Sequence, residues 1–200
     1  MPNSPTRITL RDGSHAYVRP IRPSDRELLA RGFDRLSGES RYRRFFAPLK
    51  ELSAGTLDYL TQVDHHGHEA LIALSEDGEM VGVARYVRLE PDGPVAEAAI
   101  TVIDDWQGRG VGRQLLRRLA TRARQEGVRQ FSALVKVENP TALDLLRGLG
   151  PSELSREADE FTLLIDLPKR GVGSKLARAL RAAAAGTVSA ADSLVRVARR

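Results

Sequence analysis

Residues 107–112 read Gln-Gly-Arg-Gly-Val-Gly, and the chain beyond them is strongly helical in pattern. Glycines at a strand-to-helix junction let the backbone approach a ligand closely. The helix start behind them offers unpaired N–H groups and the positive end of the helix dipole, which suits a phosphate or pyrophosphate. A glycine-rich connector without a ligand is the plainer reading, and the order strand, glycines, helix speaks against it. Two nucleotide motifs fail on spacing. A P-loop needs Gly-Lys-Ser/Thr at the helix start, where Gly112-Arg113-Gln114 stands. A dinucleotide fingerprint needs a third glycine three residues after the second, within a parallel unit. Here that glycine comes two residues on, and the preceding strands form a meander.

Other residues carry chemistry less specifically. Glu97 lies in a strand of small apolar residues, so it is either a proton acceptor or a solvated strand-start carboxylate. Asn139 stands before Pro140, the pattern of a helix N-cap. His65, His66 and His68 share a loop with Asp64 and Glu69, but no second element supplies spaced metal ligands. A solvated loop is the better reading, and no metal is expected. Arg41, Arg43 and Arg44 form a solvated face or border an entrance for an anionic ligand. Trp106 reads as a packing residue.

These residues need a scaffold. Ile8–Leu10, the Asp12-Gly13 turn and Ala16–Val18 predict a hairpin. Ser24 and Glu27 form a capping box for a helix with Leu28, Leu29, Phe33 and Leu36 on one face. Ser40–Phe46 reads as a short basic helical turn. Ser53 caps a further helix bearing Leu57 and Leu60. The period then changes: Ala70–Leu74, Met80–Val87 and Val95–Ile103, joined by turns at Asp77-Gly78 and Pro91–Pro94, predict an antiparallel meander. The helix after the glycines carries Leu115, Leu116, Leu119 and Ala123 inside and arginines outside. Phe131–Val137 is a strand, Asn139 opens a short helix to Gly150, and Phe161–Leu167 is the last strand.

Composition sets the bounds. The 200 residues are 42% hydrophobic and 28% charged, with no cysteine. That excludes disulfides, cysteine zinc sites and a thiol nucleophile. Neither a spanning apolar run nor a secretory leader is visible, so a cytoplasmic location is expected. The net charge of +5 is uneven. Residues 169–200 hold eight Lys/Arg against one acid, whereas residues 1–168 hold 23 basic and 25 acidic groups. The body is therefore unsuited to nucleic acid, while the tail's charge suits an acidic surface or membrane. We expect one domain over 1–168 and a weakly helical or disordered Ala/Arg-rich tail over 169–200.

Gln107-x-x-Gly110-x-Gly112 resembles the acyl-CoA signature of the GNAT superfamily of N-acetyltransferases, and the element order over residues 7–168 agrees. Asn139-Pro-Thr-Ala142 is similar to that family's second motif. Arg19–Asp25, Arg35–Phe46, Val63-Asp64 and Ala96-Glu97 further resemble the catalytic domain of bacterial protein lysine acetyltransferases. The resemblance implies an α/β fold with a central, mostly antiparallel twisted sheet flanked by helices. It implies acetyl-CoA as co-substrate and an amine, a protein lysine in the nearer group, as acceptor. In that group the glutamate matching Glu97 is the general base. The strand at Ile100, Thr101 and Val102 would pair with the pantetheine arm. The loop of Gln107, Gly108, Arg109, Gly110, Val111, Gly112 and Arg113 would hold the pyrophosphate, with Asn139 also on the pantetheine.

The implied reaction fits elementary chemistry. An alkyl ammonium has a pKa of about 10.4, so a base must take its proton before it attacks a thioester. One departure stands out: many members place a tyrosine after the asparagine to protonate the leaving thiolate, whereas Leu143–Arg147 contains none. Rival readings are a catalytically silent acyl-CoA-binding module, a small-molecule amine acetyltransferase and an adaptor driven by the tail.

Overall fold

A computed structural model describes residues 4–167. The expectation for residues 169–200 lies outside the described residues. Eight strands form one sheet, in the order β1-β2-β3-β4-β5-β6-β8-β7. The strands are β1 (Thr6–Thr9), β2 (His15–Pro20), β3 (His68–Leu74), β4 (Met80–Arg88), β5 (Val95–Val102), β6 (Gln130–Lys136), β7 (Ser152–Glu157) and β8 (Glu160–Asp166). Every pairing is antiparallel except β5 with β6. The helices are α1 (Arg26–Asp34), α2 (Gly38–Phe45), α3 (Ala54–Thr61), α4 (Val111–Gln125) and α5 (Pro140–Arg147).

The two faces of the sheet bury separate cores. On one, Leu115, Leu116 and Leu119 of α4 are fully buried against Ala84, Tyr86, Ala98 and Phe131. Burying a leucine side chain stabilises the fold by roughly 1.5–3 kcal/mol, so this stripe anchors α4 and the glycine loop before it. On the other face, Leu29 and Phe33 of α1 and Leu57 and Leu60 of α3 pack on Ala70, Ile72 and Val83.

Three local expectations change. The Ser24 capping box is absent. Pro23–Asp25 forms a 3-10 turn, and Asp25 accepts the Arg22 N–H at 2.8 Å while Arg19 grips both its oxygens at 2.6 Å. The aspartate satisfies the turn and the arginine together, which a serine hydroxyl cannot do. Burial opposes its charge, but these bonds hold its carboxyl below the usual range. The basic turn at 40–46 is a full helix begun by Ser37, whose Oγ accepts the Ser40 N–H at 3.1 Å. Finally, β7 is an additional strand. Its sequence, SELSRE, has no apolar run because it is an exposed edge paired only with β8.

Candidate active site

The site begins where two strands part. The parallel β5–β6 ladder holds only Val95–Glu97 against Gln130–Ser132. Beyond Glu97, β5 stays paired with β4 to Val102, while β6 diverges beside β8 to Lys136. Glu97 is therefore the last rung at the fork. Leu89 N–H bonds to Val95 O and Ile103 N–H to Val81 O, so the odd residues of β5 face β4. The even residues turn their polar groups toward the opening, and no strand lies opposite Ile100. A buried amide without a partner is costly, so this edge suits an extended ligand that carries its own amides.

The opening leads into a cleft of about 460 Å³, within the usual size for a small-molecule site. Ile100, Thr101 and Val102 line it from β5, and Asn139 from the start of α5. Gln107, Gly108, Gly110, Val111, Gly112 and Arg113 line it from the loop and the start of α4. Gly110 takes φ +97° as the N-cap, a left-handed conformation that avoids a Cβ penalty only in glycine. At Gly112 a Cβ would lie 3.2 Å from Leu145 and 3.3 Å from Ile100, so glycine there lets α4 approach β5 and α5. The first N–H groups of α4 thus open into the cleft, where the dipole favours an anion. These features fit the phosphates and pantetheine amides of an acyl-CoA.

The remaining two sequence-predicted residues sit differently. Arg109 turns its guanidinium away, to 3.4 Å from Asp12 and over the Trp106 ring at 4.9 Å. Glu97 is exposed on the other face of β5, beyond the cleft lining. Asn139 acts as the N-cap, with Oδ1 accepting the Ala142 N–H at 3.1 Å.

The loop is braced from α2. Asp104 accepts from Ser40 Oγ at 2.6 Å and from the Ser37 N–H at 2.8 Å. Burial works against its charge, but these bonds hold its carboxyl below the usual range. Gln107 Nε2 donates to Val102 O at 3.1 Å and to Asp104 at 3.2 Å, closing the open end of β5 onto the loop.

Arginines 41, 43 and 44 divide their duties. Arg41 ties the carbonyls of Asp34, Leu36 and Lys50 and stacks on Phe33. Arg43 and Arg44 line the cleft. Arg43 pairs with Glu39 and donates to Glu138 O at 3.3 Å, and its buried Nε has no partner. Sequence reasoning missed Arg11, Ser40, Thr141, Asp144 and Leu145, which also line the cleft. Only the position of Thr141 and Ala142 beside Asn139 hinted at them.

The histidines do not converge. His65 Nδ1 is 2.8 Å from Glu69, His66 bridges Glu126 and Asp92, and His68 Nε2 is 3.1 Å from an Arg85 nitrogen. Among the described residues, no group of three His, Asp or Glu side chains is placed to hold a metal. No described helix is long and apolar enough to cross a membrane.

Comparison with known proteins agrees with this geometry. The model of the Acetyltransferase (GNAT) family matches residues 34–150. An acetyltransferase of Pseudomonas aeruginosa is 39% identical over 160 residues, covering 78% of this chain and 85% of that protein. Acetyltransferase Pat of Mycolicibacterium smegmatis is 32% identical over 82% of this chain, which spans 50% of Pat. The crystal structure of the GNAT domain of S. lividans PAT superposes with a TM-score of 0.76 at 35% identity, covering 82% of this chain and 97% of that one. The forked sheet, the glycine-capped α4 and these relatives together establish that the chain belongs to the GNAT family, as an acyl-CoA-dependent acetyltransferase.

Proposed function

We propose that the chain transfers the acetyl group of acetyl-CoA to the side-chain amine of a protein lysine, with Glu97 as general base. The observation that carries this reading is the position of Glu97 at the fork. An acyl group delivered along the open edge of β5 reaches its last paired residue. The carboxylate stands there exposed, on the face away from α4.

Glu97 takes the proton of the attacking amine, directly or through water. The N–H groups at the start of α4 hold phosphate oxygens, and Ile100 orients the arm by backbone bonds. The bound co-substrate supplies the activated acyl group. A lysine acceptor accords with an open approach: Leu134, two residues beyond the rung partner of Glu97, is 46% exposed, and Tyr59 of α3 is 57% exposed. The segments Arg19–Asp25 and Arg35–Phe46, which resemble protein lysine acetyltransferases, support the same acceptor.

The test is thiol release from acetyl-CoA over a panel of lysine-bearing proteins and small amines, for wild type and Glu97→Gln. We expect turnover on a protein acceptor and a loss of about 10²–10⁴-fold in kcat in the variant, with acetyl-CoA affinity unchanged. Binding without turnover on any acceptor would identify a silent acyl-CoA module instead. Turnover confined to small amines would remove the lysine assignment.

A further inference from the structure

Among the described residues, Arg44 stands in the cleft wall without a counter-ion. It lines the cleft together with Thr101, and both also line a small inner cavity of about 20 Å³ under α1 and α3. Among the described residues it makes no hydrogen bond and has no carboxylate within 4.0 Å; its guanidinium lies 5.0 Å from the Phe45 ring centroid. Behind it stands Arg85, 5% exposed, whose partners among the described residues are His68 Nε2 at 3.1 Å and Leu60 O at 3.2 Å. Burial, and for Arg85 also repulsion from Arg44, pushes both guanidiniums below the usual arginine range, Arg85 to about 9. Two other arginines of low exposure differ: Arg19 holds Asp25 at 2.6 Å and Arg122 holds Glu69 at 3.0 Å.

Its position assigns the missing anion. Arg44 feels the field of Glu97 while lining the cleft that starts at the phosphate end. The reacting carbon must lie between that end and Glu97, hence beside Arg44. The cleft offers no tyrosine, histidine, lysine or cysteine to protonate a leaving group. A free alkyl thiol is protonated at neutral pH, so a departing thiolate needs a proton or a cation.

We propose that Arg44 is a catalytic residue that carries the negative charge of the departing thiolate. This rests on the acetyl-transfer reading with Glu97 as base. In the step, a C–N bond forms as the C–S bond breaks. Glu97 receives the amine proton, the sulfur leaves with the electron pair, and Arg44 pairs with that charge until water supplies a proton.

The test titrates the thiol of bound CoA. Affinities of CoA and acetyl-CoA are measured by calorimetry from about pH 6 to about pH 10, with free CoA titrated alongside, for wild type, Arg44→Lys and Arg44→Gln. Acetyl-CoA lacks the thiol, so the groups that face Arg44 (Arg85 from β4, Glu97 from β5, Tyr59 from α3, Arg43 from α2) cancel in the ratio. We expect the bound thiol to titrate at least about one unit below that of free CoA in wild type, near the free value in Arg44→Gln and between them in Arg44→Lys. Turnover should fall about 10²-fold in Arg44→Gln and be partly restored in Arg44→Lys. A bound thiol that titrates like that of free CoA in wild type, or alike in wild type and Arg44→Gln, overturns the proposal and leaves the role of Glu97 standing. A wild type that binds neither ligand overturns both.

Discussion

The two ends of β4 and β5 treat charge in opposite ways. Where β4 ends and β5 begins, charges are closely paired. Glu69, 1% exposed, holds Arg122 and His65; Arg122 also pairs with Glu126; and Arg88 reaches the carbonyls of Gly93 and Glu126. His66 spans Glu126 and Asp92, tying the β4–β5 turn to the last turn of α4. Donating hydrogen bonds to Asp92 and Glu126 pushes the His66 imidazole up in pKa. Toward the cleft, Arg43, Arg44 and Arg85 line or back the open strand without such carboxylates, apart from the outward pair of Arg43 with Glu39. A buried charge with its partner is a fastening. A buried charge without one is poised for something that arrives.

Perturbing the paired end should cost stability and spare the chemistry. Glu69→Gln removes the buried one of the two carboxylates that hold Arg122, and we expect a loss of about 2 kcal/mol in denaturant unfolding. The kcat of the folded variant should stay within about twofold of wild type, well short of the expected effect of Glu97→Gln. A tenfold fall in kcat would mean that the network reaches the site.

His68 links the two regions through Arg85. Burial, then Arg85, depresses its pKa to about 4 from an ordinary 6.5. The unfolded chain therefore binds a proton that the fold refuses. The His68 contribution to stability is level above about pH 6.5 and falls by up to roughly 3 kcal/mol as pH drops toward 4. Equilibrium unfolding in this window should show the slope in wild type and a flatter curve in His68→Gln. Equal slopes would place the acid sensitivity elsewhere.

Gly112→Val sharpens the comparison from the cleft side. The added side chain must displace Leu145 or Ile100, which moves the start of α4 away from β5. Overpacking of this kind costs about 1–3 kcal/mol, and we expect acetyl-CoA affinity to fall about tenfold or more. Asp92→Ala has the smallest effect. The pair of Asp92 with His66 is exposed, so Tm should stay within about 1 °C and turnover should not change.

Much of this was legible in the letters. The glycines at 108, 110 and 112 announced the start of α4, because few other readings explain them between a β-branched strand and a leucine-striped helix. The meander followed from three apolar runs and two tight turns. The fork was not legible, since the end of a parallel ladder depends on where β6 leaves β5 in space. Nor was the pairing state of each arginine. Arg19, Arg41, Arg44 and Arg122 look alike in sequence, and only packing gives Arg19 and Arg122 a carboxylate, Arg41 a set of carbonyls and Arg44 neither. β7 escaped for a simpler reason: a strand exposed at a sheet edge needs no apolar pattern.

The short β5–β6 ladder also has a signature in time. Along β5, Ala99 and Thr101 are bonded to β4 opposite Arg85 and Val83, whereas Ile100 between them faces the opening. Amide exchange should therefore alternate from one residue to the next, slow at 99, fast at 100 and slow again at 101. A ligand that lays its amides along this edge completes the missing rung, and protection should rise at Ile100 far more than at its neighbours. If acyl-CoA pairs along this edge as proposed, the strand's partner beyond Glu97 is the substrate, and each turnover makes and unmakes a piece of secondary structure.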